Sequence, residues 1–186
     1  MDNRGIHFGA FAAFAILLAV SMLDMSCIVF NRPHRGTVPI ETWTAENKAF
    51  KIRVTSYEEE DSNVTGTYYV FESTSTNATE WHEIMTFRHD ERPEIPKDQI
   101  RFLNDKTAYV FMGWMYGVTI DGGSSWSIWD AQKDLPDWQC CNYGLIRDVS
   151  IISDGRGTMF LNPVPQRRGE VPELHTKDHG RHWTAQ

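Results

Sequence analysis

The side chains best suited to chemistry lie near the carboxyl end. His175, His179 and His182 fall within eight residues, with Asp178 between them. Imidazoles and a carboxylate so grouped are ligand types for zinc or another transition metal. Cys140-Cys141 offers a second chemistry. Adjacent thiols in an exported domain either close a strained vicinal disulfide or stay reduced. A redox role favours Cys-x-x-Cys, which is absent, so a structural loop is expected. Glu58-Glu59-Glu60-Asp61 is acidic enough for calcium, but it has no Gly and no loop spacing of ligands, so it reads as a solvated turn. Asn63-Val64-Thr65 and Asn77-Ala78-Thr79 are glycosylation sequons that matter only in an exported eukaryotic protein. No Gly-x-Ser-x-Gly, P-loop or dinucleotide fingerprint occurs. No catalytic residue is assigned, no enzyme activity is expected, and no metal or cofactor is expected.

The Cys140-Cys141 loop also holds Trp138 and Tyr143, ring types enriched at the energetic centres of interfaces. With Trp129 and Trp114 they form the candidate binding surface. The competing reading is that each of these rings belongs to the core.

Composition narrows the function classes. The chain has 186 residues, 41% hydrophobic and 12% aromatic, ample for a core. Its 18 Lys+Arg against 25 Asp+Glu give a net charge of -7, and no basic run exceeds Arg167-Arg168, which argues against nucleic acid. Three Cys exclude a disulfide scaffold.

Residues 1–30 read as a separate targeting segment, leaving 31–186 as the folded domain. Phe8 to Leu23 carries no charge and Arg4 precedes it, the layout of a signal peptide. Ser26-Cys27 ends the stretch much as a bacterial lipoprotein cleavage box does, which would make Cys27 the lipidated first residue. Asp24 stands where an aliphatic residue is usual, with Leu23 one place early. Two alternatives stay open: cleavage without lipid, or an uncleaved helix reaching Phe30, long enough for the ~20 residues a bilayer needs. Arg32 and Arg35 oppose translocation of the carboxyl-side domain. Loss of residues 1–26 removes Arg4, Asp2 and Asp24 and leaves a charge of -6, so a basic partner surface is a reasonable expectation.

From Ile40 onward the chain reads as strands. Phe50 to Thr55 alternates apolar and polar, Thr67 to Phe71 is β-branched and aromatic, and Ala108 to Met112 and Tyr116 to Ile120 flank Gly113. Asp148 to Ile152 and Thr158 to Leu161 flank the turn Asp154-Gly155-Arg156-Gly157. Within this pattern a motif repeats. Thr119-Ile120-Asp121-Gly122-Gly123-Ser124-Ser125-Trp126 and Thr176-Lys177-Asp178-His179-Gly180-Arg181-His182-Trp183 both read Thr-x-Asp-x-Gly-x-x-Trp, 57 residues apart. A decayed copy keeps only Thr74 and Trp81.

The motif resembles the Asp-box, a hairpin turn of sialidases and other β-propellers. That resemblance implies an Asp accepting backbone N–H bonds across a tight turn, a Gly with positive φ, and a Trp packed over the hairpin. It gives Thr119, Asp121, Gly123, Trp126, Thr176, Asp178, Gly180 and Trp183 structural roles, and it leaves His179 and His182 at variable, solvent-facing turn positions. It also places each box between the third and fourth strands of a four-stranded sheet. Cut that way, the chain yields sheets over about 40–88, 100–131 and 145–186, three where closed propellers typically have four to eight. The expectation is an all-β, open propeller-like stack.

No sialidase signature accompanies the boxes. The resemblance therefore implies a membrane-anchored protein-binding module facing the periplasm or the outside. It is similar in layout to exported assembly factors of membrane complexes, such as the photosystem II stability factor, and to immunity lipoproteins of type VI secretion that block a toxin. A glycan-binding, sialidase-related domain is the alternative, and self-association through open sheet edges is a further expectation.

Overall fold

The computed structural model describes residues 35–60, 66–134, 145–162 and 173–185. Among the described residues, twelve strands form three four-stranded antiparallel sheets, each a simple meander. The first holds β1 (Arg35–Glu46), β2 (Phe50–Glu59), β3 (Thr67–Ser75) and β4 (His82–His89). The second holds β5 (Ile100–Phe102), β6 (Ala108–Met112), β7 (Met115–Thr119) and β8 (Ser127–Asp130). The third holds β9 (Ile146–Ile151), β10 (Gly157–Leu161), β11 (Glu173–Thr176) and β12 (Thr184–Ala185). Among the described residues, helix is confined to two short turns, Lys97–Gln99 and Ala131–Asp134.

The period of two along the central strands explains the stacking. In β6, Ala108, Val110 and Met112 enter a core shared with the first sheet, where they meet Phe50, Ile52, Val54, Tyr69 and Phe71. Tyr109 and Phe111 point the other way, into a core shared with Val149, Met159, Leu161 and Leu174 of the third sheet. The middle sheet is therefore apolar on both faces, and its strands read as continuous apolar runs. The outer two sheets each give one face to a shared core. The fold is an open, propeller-like stack of three sheets, none of them closed into a barrel.

Each expected sheet is found, with shifted ends. The first begins at Arg35 rather than near residue 40. Pro39 hides the start of β1 in the sequence, and a proline is tolerated there because β1 is an edge strand. Its pairing with β2 shifts register on both sides of Pro39, and the exposed edge carries Glu41 and Glu46. Proline, irregular register and charge all disfavour strand addition at this edge. Gly113 sits at the first central position of the β6–β7 hairpin with φ 62°, a conformation that glycine adopts without strain.

Candidate functional site

The repeated motif builds the same turn twice. After β7, the Thr119 hydroxyl donates to Asp121 Oδ1 (2.8 Å) and accepts from Gly123 N (3.0 Å). Asp121 Oδ1 accepts from Ser125 N (3.0 Å), and Oδ2 from the Ser125 hydroxyl (2.6 Å). After β11, Thr176 donates to Asp178 Oδ1 (2.8 Å) and accepts from Gly180 N (2.9 Å), and His182 N donates to Asp178 Oδ1 (3.1 Å). His182 Nδ1 takes the place of the serine hydroxyl, 2.6 Å from Asp178 Oδ2. The Ser125 hydroxyl, helped by backbone N–H groups and Thr119, holds the Asp121 carboxyl below its ordinary range. Burial pulls Asp178 upward, but the His182 and Thr176 bonds outweigh it and leave that carboxyl lowered too.

Each turn docks on the preceding sheet. Gly123 has φ 83° and Gly180 φ 86°. A Cβ on Gly123 would stand 2.8 Å from the Phe50 ring of the first sheet, and one on Gly180 2.6 Å from the Tyr116 ring of the second. The Trp126 indole N–H donates to the Ser73 hydroxyl of β3 (3.0 Å). Trp183 meets Tyr116 edge to face, with centroids 5.4 Å apart, and the Tyr116 hydroxyl donates to His179 O (2.8 Å). Burial raises the Tyr116 phenol far above its ordinary range.

The decayed copy lies between β3 and β4, the same place in its sheet. Its Asp and Gly positions hold Thr76 and Ala78, and the Ala78 N–H is spent on Ser75 O (3.1 Å). The Thr74 hydroxyl is buried without a partner. No sheet precedes this one among the described residues, and Trp81 is covered instead by the Arg53 guanidinium, 4.3 Å from its ring centre.

Of the four rings expected to form a binding surface, Trp129 and Trp114 are described. Trp129 is 4% exposed, in the core beside Trp183. Its place in β8, paired with Tyr116, turns it inward, so it cannot anchor a partner. Trp114 is half-buried, packs against both cores and meets Phe87 edge to face at 4.8 Å. Trp138, Tyr143, Cys140 and Cys141 lie outside the described residues, as do the apolar segment at 8–23 and Cys27. Among the described residues no helix is long and apolar enough to cross a membrane.

Among the described residues, no other sheet packs on the outer face of the third sheet. Ser150, Thr158, His175 and Thr184 form one row across its four strands. Ile152, 50% exposed, and Arg156, Lys177, Asp178 and His182 border the same groove, which holds about 760 Å³. Phe160 continues the face, with the Arg147 guanidinium 5.7 Å above its ring. The His175 ring lies 3.4 Å from the Thr158 hydroxyl. His182 is engaged with Asp178, and among the described residues no three His, Cys, Asp or Glu side chains converge as metal ligands would. The alternation in β9 and β10 could have revealed this face: Val149, Ile151, Met159 and Leu161 point inward, so Ser150 and Thr158 must point out.

The opposite end of the stack is finished differently. On the first sheet's outer face Arg53 forks onto Glu72 (2.6 and 3.1 Å), Lys51 reaches Glu46 (3.3 Å), and Thr42 bonds Thr55 (3.2 Å). These charges are paired within the sheet. No protein family, curated protein or solved structure matches this chain.

Proposed function

We propose that this chain is a membrane-anchored, non-catalytic protein-binding module. In this reading it serves as an assembly factor of a membrane complex or as an immunity-type lipoprotein that blocks a toxin. The observation that carries the reading is the outer face of the third sheet, on which no described sheet packs. Inside the stack each sheet face is covered by the next sheet, whereas no described sheet packs on the face where Ser150, Ile152 and Thr184 are exposed and Thr158, Phe160 and His175 are half-buried. A mixed face of apolar patches, hydroxyls and charges of both signs suits a protein partner, since non-obligate interfaces are about as polar as ordinary surface. The Thr-x-Asp-x-Gly-x-x-Trp turns are architecture in this reading. Their bonding is what the Asp-box resemblance implies, and it supports counting the chain among Asp-box proteins.

The test is capture from native membranes by the tagged full chain, with Thr158→Arg beside the unaltered protein. A long charged side chain in the centre of the row should cut capture at least tenfold while the melting temperature stays unchanged. Undiminished capture by a folded Thr158→Arg protein would reject this face.

A further inference from the structure

We propose that the groove on the outer face of the third sheet takes an acidic segment of a partner protein, whose carboxylates meet Lys177 and the Arg156 guanidinium. This rests on the reading of that face as a protein-binding surface and names the chemistry of its occupant.

The carboxylates around the groove are engaged within the chain. Both Asp178 oxygens belong to their own turn, Oδ1 bonded by the Thr176 hydroxyl and His182 N, and Oδ2 by His182 Nδ1. Asp154 holds Arg156 at its backbone N (3.0 Å) and its Nε (2.8 Å). Asp148 meets Arg101 of the second sheet (2.7 Å), and Glu173 stands 4.0 Å from the His175 ring. The cations are less occupied. Lys177 lines the groove, is exposed, and makes no hydrogen bond or ion pair with the described residues. The bond from Asp154 to Nε orients the Arg156 guanidinium and leaves both Nη groups without a described partner. Two free Nη groups on a guanidinium already held in place match the two oxygens of a carboxylate, and the prior ordering lowers the cost of binding one.

The local charge reverses the expectation from the whole chain. A net charge of -7 points to a basic partner, yet the charges left unmatched on this face are cationic. On the first sheet's outer face the comparable cations are satisfied at home, Arg53 by Glu72 and Lys51 by Glu46. An unmatched cationic patch on an acidic chain favours a partner surface of opposite sign and steers it to one place. Hydroxyls of Ser150, Thr158 and Thr184 add further donors for carboxylate oxygens. Ile152 lines the same groove and Phe160 continues the face. Apolar side chains next to carboxylates are what a polypeptide supplies and a phosphate group alone does not.

The test is fluorescence anisotropy with the full chain in detergent and two labelled probes, a peptide of about eight residues alternating Glu and Val and the same peptide with Gln for Glu. The acidic peptide should bind about tenfold tighter or more, and the ratio should shrink as salt rises. Lys177→Glu and Arg156→Gln should each cut that ratio to about a third or less while melting normally. Lys48→Glu makes the same charge change in the exposed β1–β2 turn and should leave it intact. Equal binding of the two peptides overturns the proposal. So does an equal loss in Lys48→Glu, which would mean that overall charge sets the preference. Binding to phosphatidylglycerol vesicles that is lost in Lys177→Glu, with no preference between the peptides, would replace the protein segment by lipid phosphate. Capture from native membranes separates this proposal from the reading beneath it. Capture lost in Thr158→Arg but kept in Lys177→Glu overturns the acidic occupant and leaves the protein-binding face standing, whereas capture kept in Thr158→Arg removes both.

Discussion

His182 Nδ1 stands 2.6 Å from Asp178 Oδ2, the same place and distance at which the Ser125 hydroxyl meets Asp121 in the other copy of the turn. The backbone bonds around the two carboxylates also coincide. One design is thus closed by a hydroxyl in the second sheet and by an imidazole in the third.

Both carboxyls are held below their ordinary value near 3.8 in the folded chain. The unfolded chain therefore takes up these protons first as pH falls. The stabilisation is fully present above the ordinary carboxylate value and is lost as pH drops through the lower folded one. The expected outcome is an acid limb of the melting curve, below about pH 4, that flattens in Asp121→Asn and in Asp178→Asn. Melting temperatures from pH 2 to 7 check this, and an acid limb of unaltered steepness in both variants would show that other groups set it.

The two motif tryptophans should differ when cut back. Trp183 is 6% exposed, whereas Trp126 is only half-buried, so Trp183→Ala should be the costlier truncation, in the range of about 3–5 kcal/mol for a buried ring. The order should reverse for the milder change. Trp126→Phe removes the N–H that Ser73 accepts, worth about 0.5–1.5 kcal/mol, while the Trp183 N–H is buried with no partner to lose. Urea unfolding of the four variants gives both rankings.

The glycines of the second sheet's turn separate backbone strain from crowding. Gly122 has φ 78°, but a Cβ there would find its nearest neighbour, Asp105 O, at 3.8 Å. Gly122→Ala should cost the left-handed penalty alone, about 1–2 kcal/mol. Gly123→Ala adds a 2.8 Å approach to the Phe50 ring, and overpacking adds about 1–3 kcal/mol more. Equal costs in denaturant melts would mean that Phe50 moves aside freely.

These turns were legible in the sequence because their physics is local: Thr, Asp and Gly bond within five residues of one another. Sheet number and order were legible for the same reason, each sheet being a meander of neighbouring strands. What reached beyond one sheet was not. Trp129 looks like a surface anchor until its pairing with Tyr116 turns it inward, and Trp114 is a wedge between two cores only because those cores lie on opposite faces of one sheet. The alternation in β9 and β10 marks Ser150 and Thr158 as facing away from the core, but that no described sheet packs over them is a fact of stacking.

Arg101 tests whether the stack comes apart by layers. From β5 its guanidinium donates to Val149 O (2.6 Å) and Asp148 Oδ1 (2.7 Å) of β9 and lies 5.5 Å from the centre of the Phe111 ring. Tyr109 donates to the same Val149 O (3.1 Å). A planar fork spans the two acceptors, and the single ammonium of lysine cannot reproduce that geometry. Loss of hydrogen bonds to a charged group costs about 1.5–3 kcal/mol each at most, and the tyrosine bond remains to hold the carbonyl. Arg101→Lys should therefore loosen the junction of the second and third sheets without unfolding the chain. The two cores share no buried residue, so the loosening should stay on one side. In hydrogen exchange, amides of β9 and β10 should lose protection by about tenfold or more, on the scale of 1.4 kcal/mol per decade, while those of β2 and β3 keep theirs. Equal loss across all three sheets would show that the stack opens as one cooperative unit, and the layers could then not be treated as separable junctions.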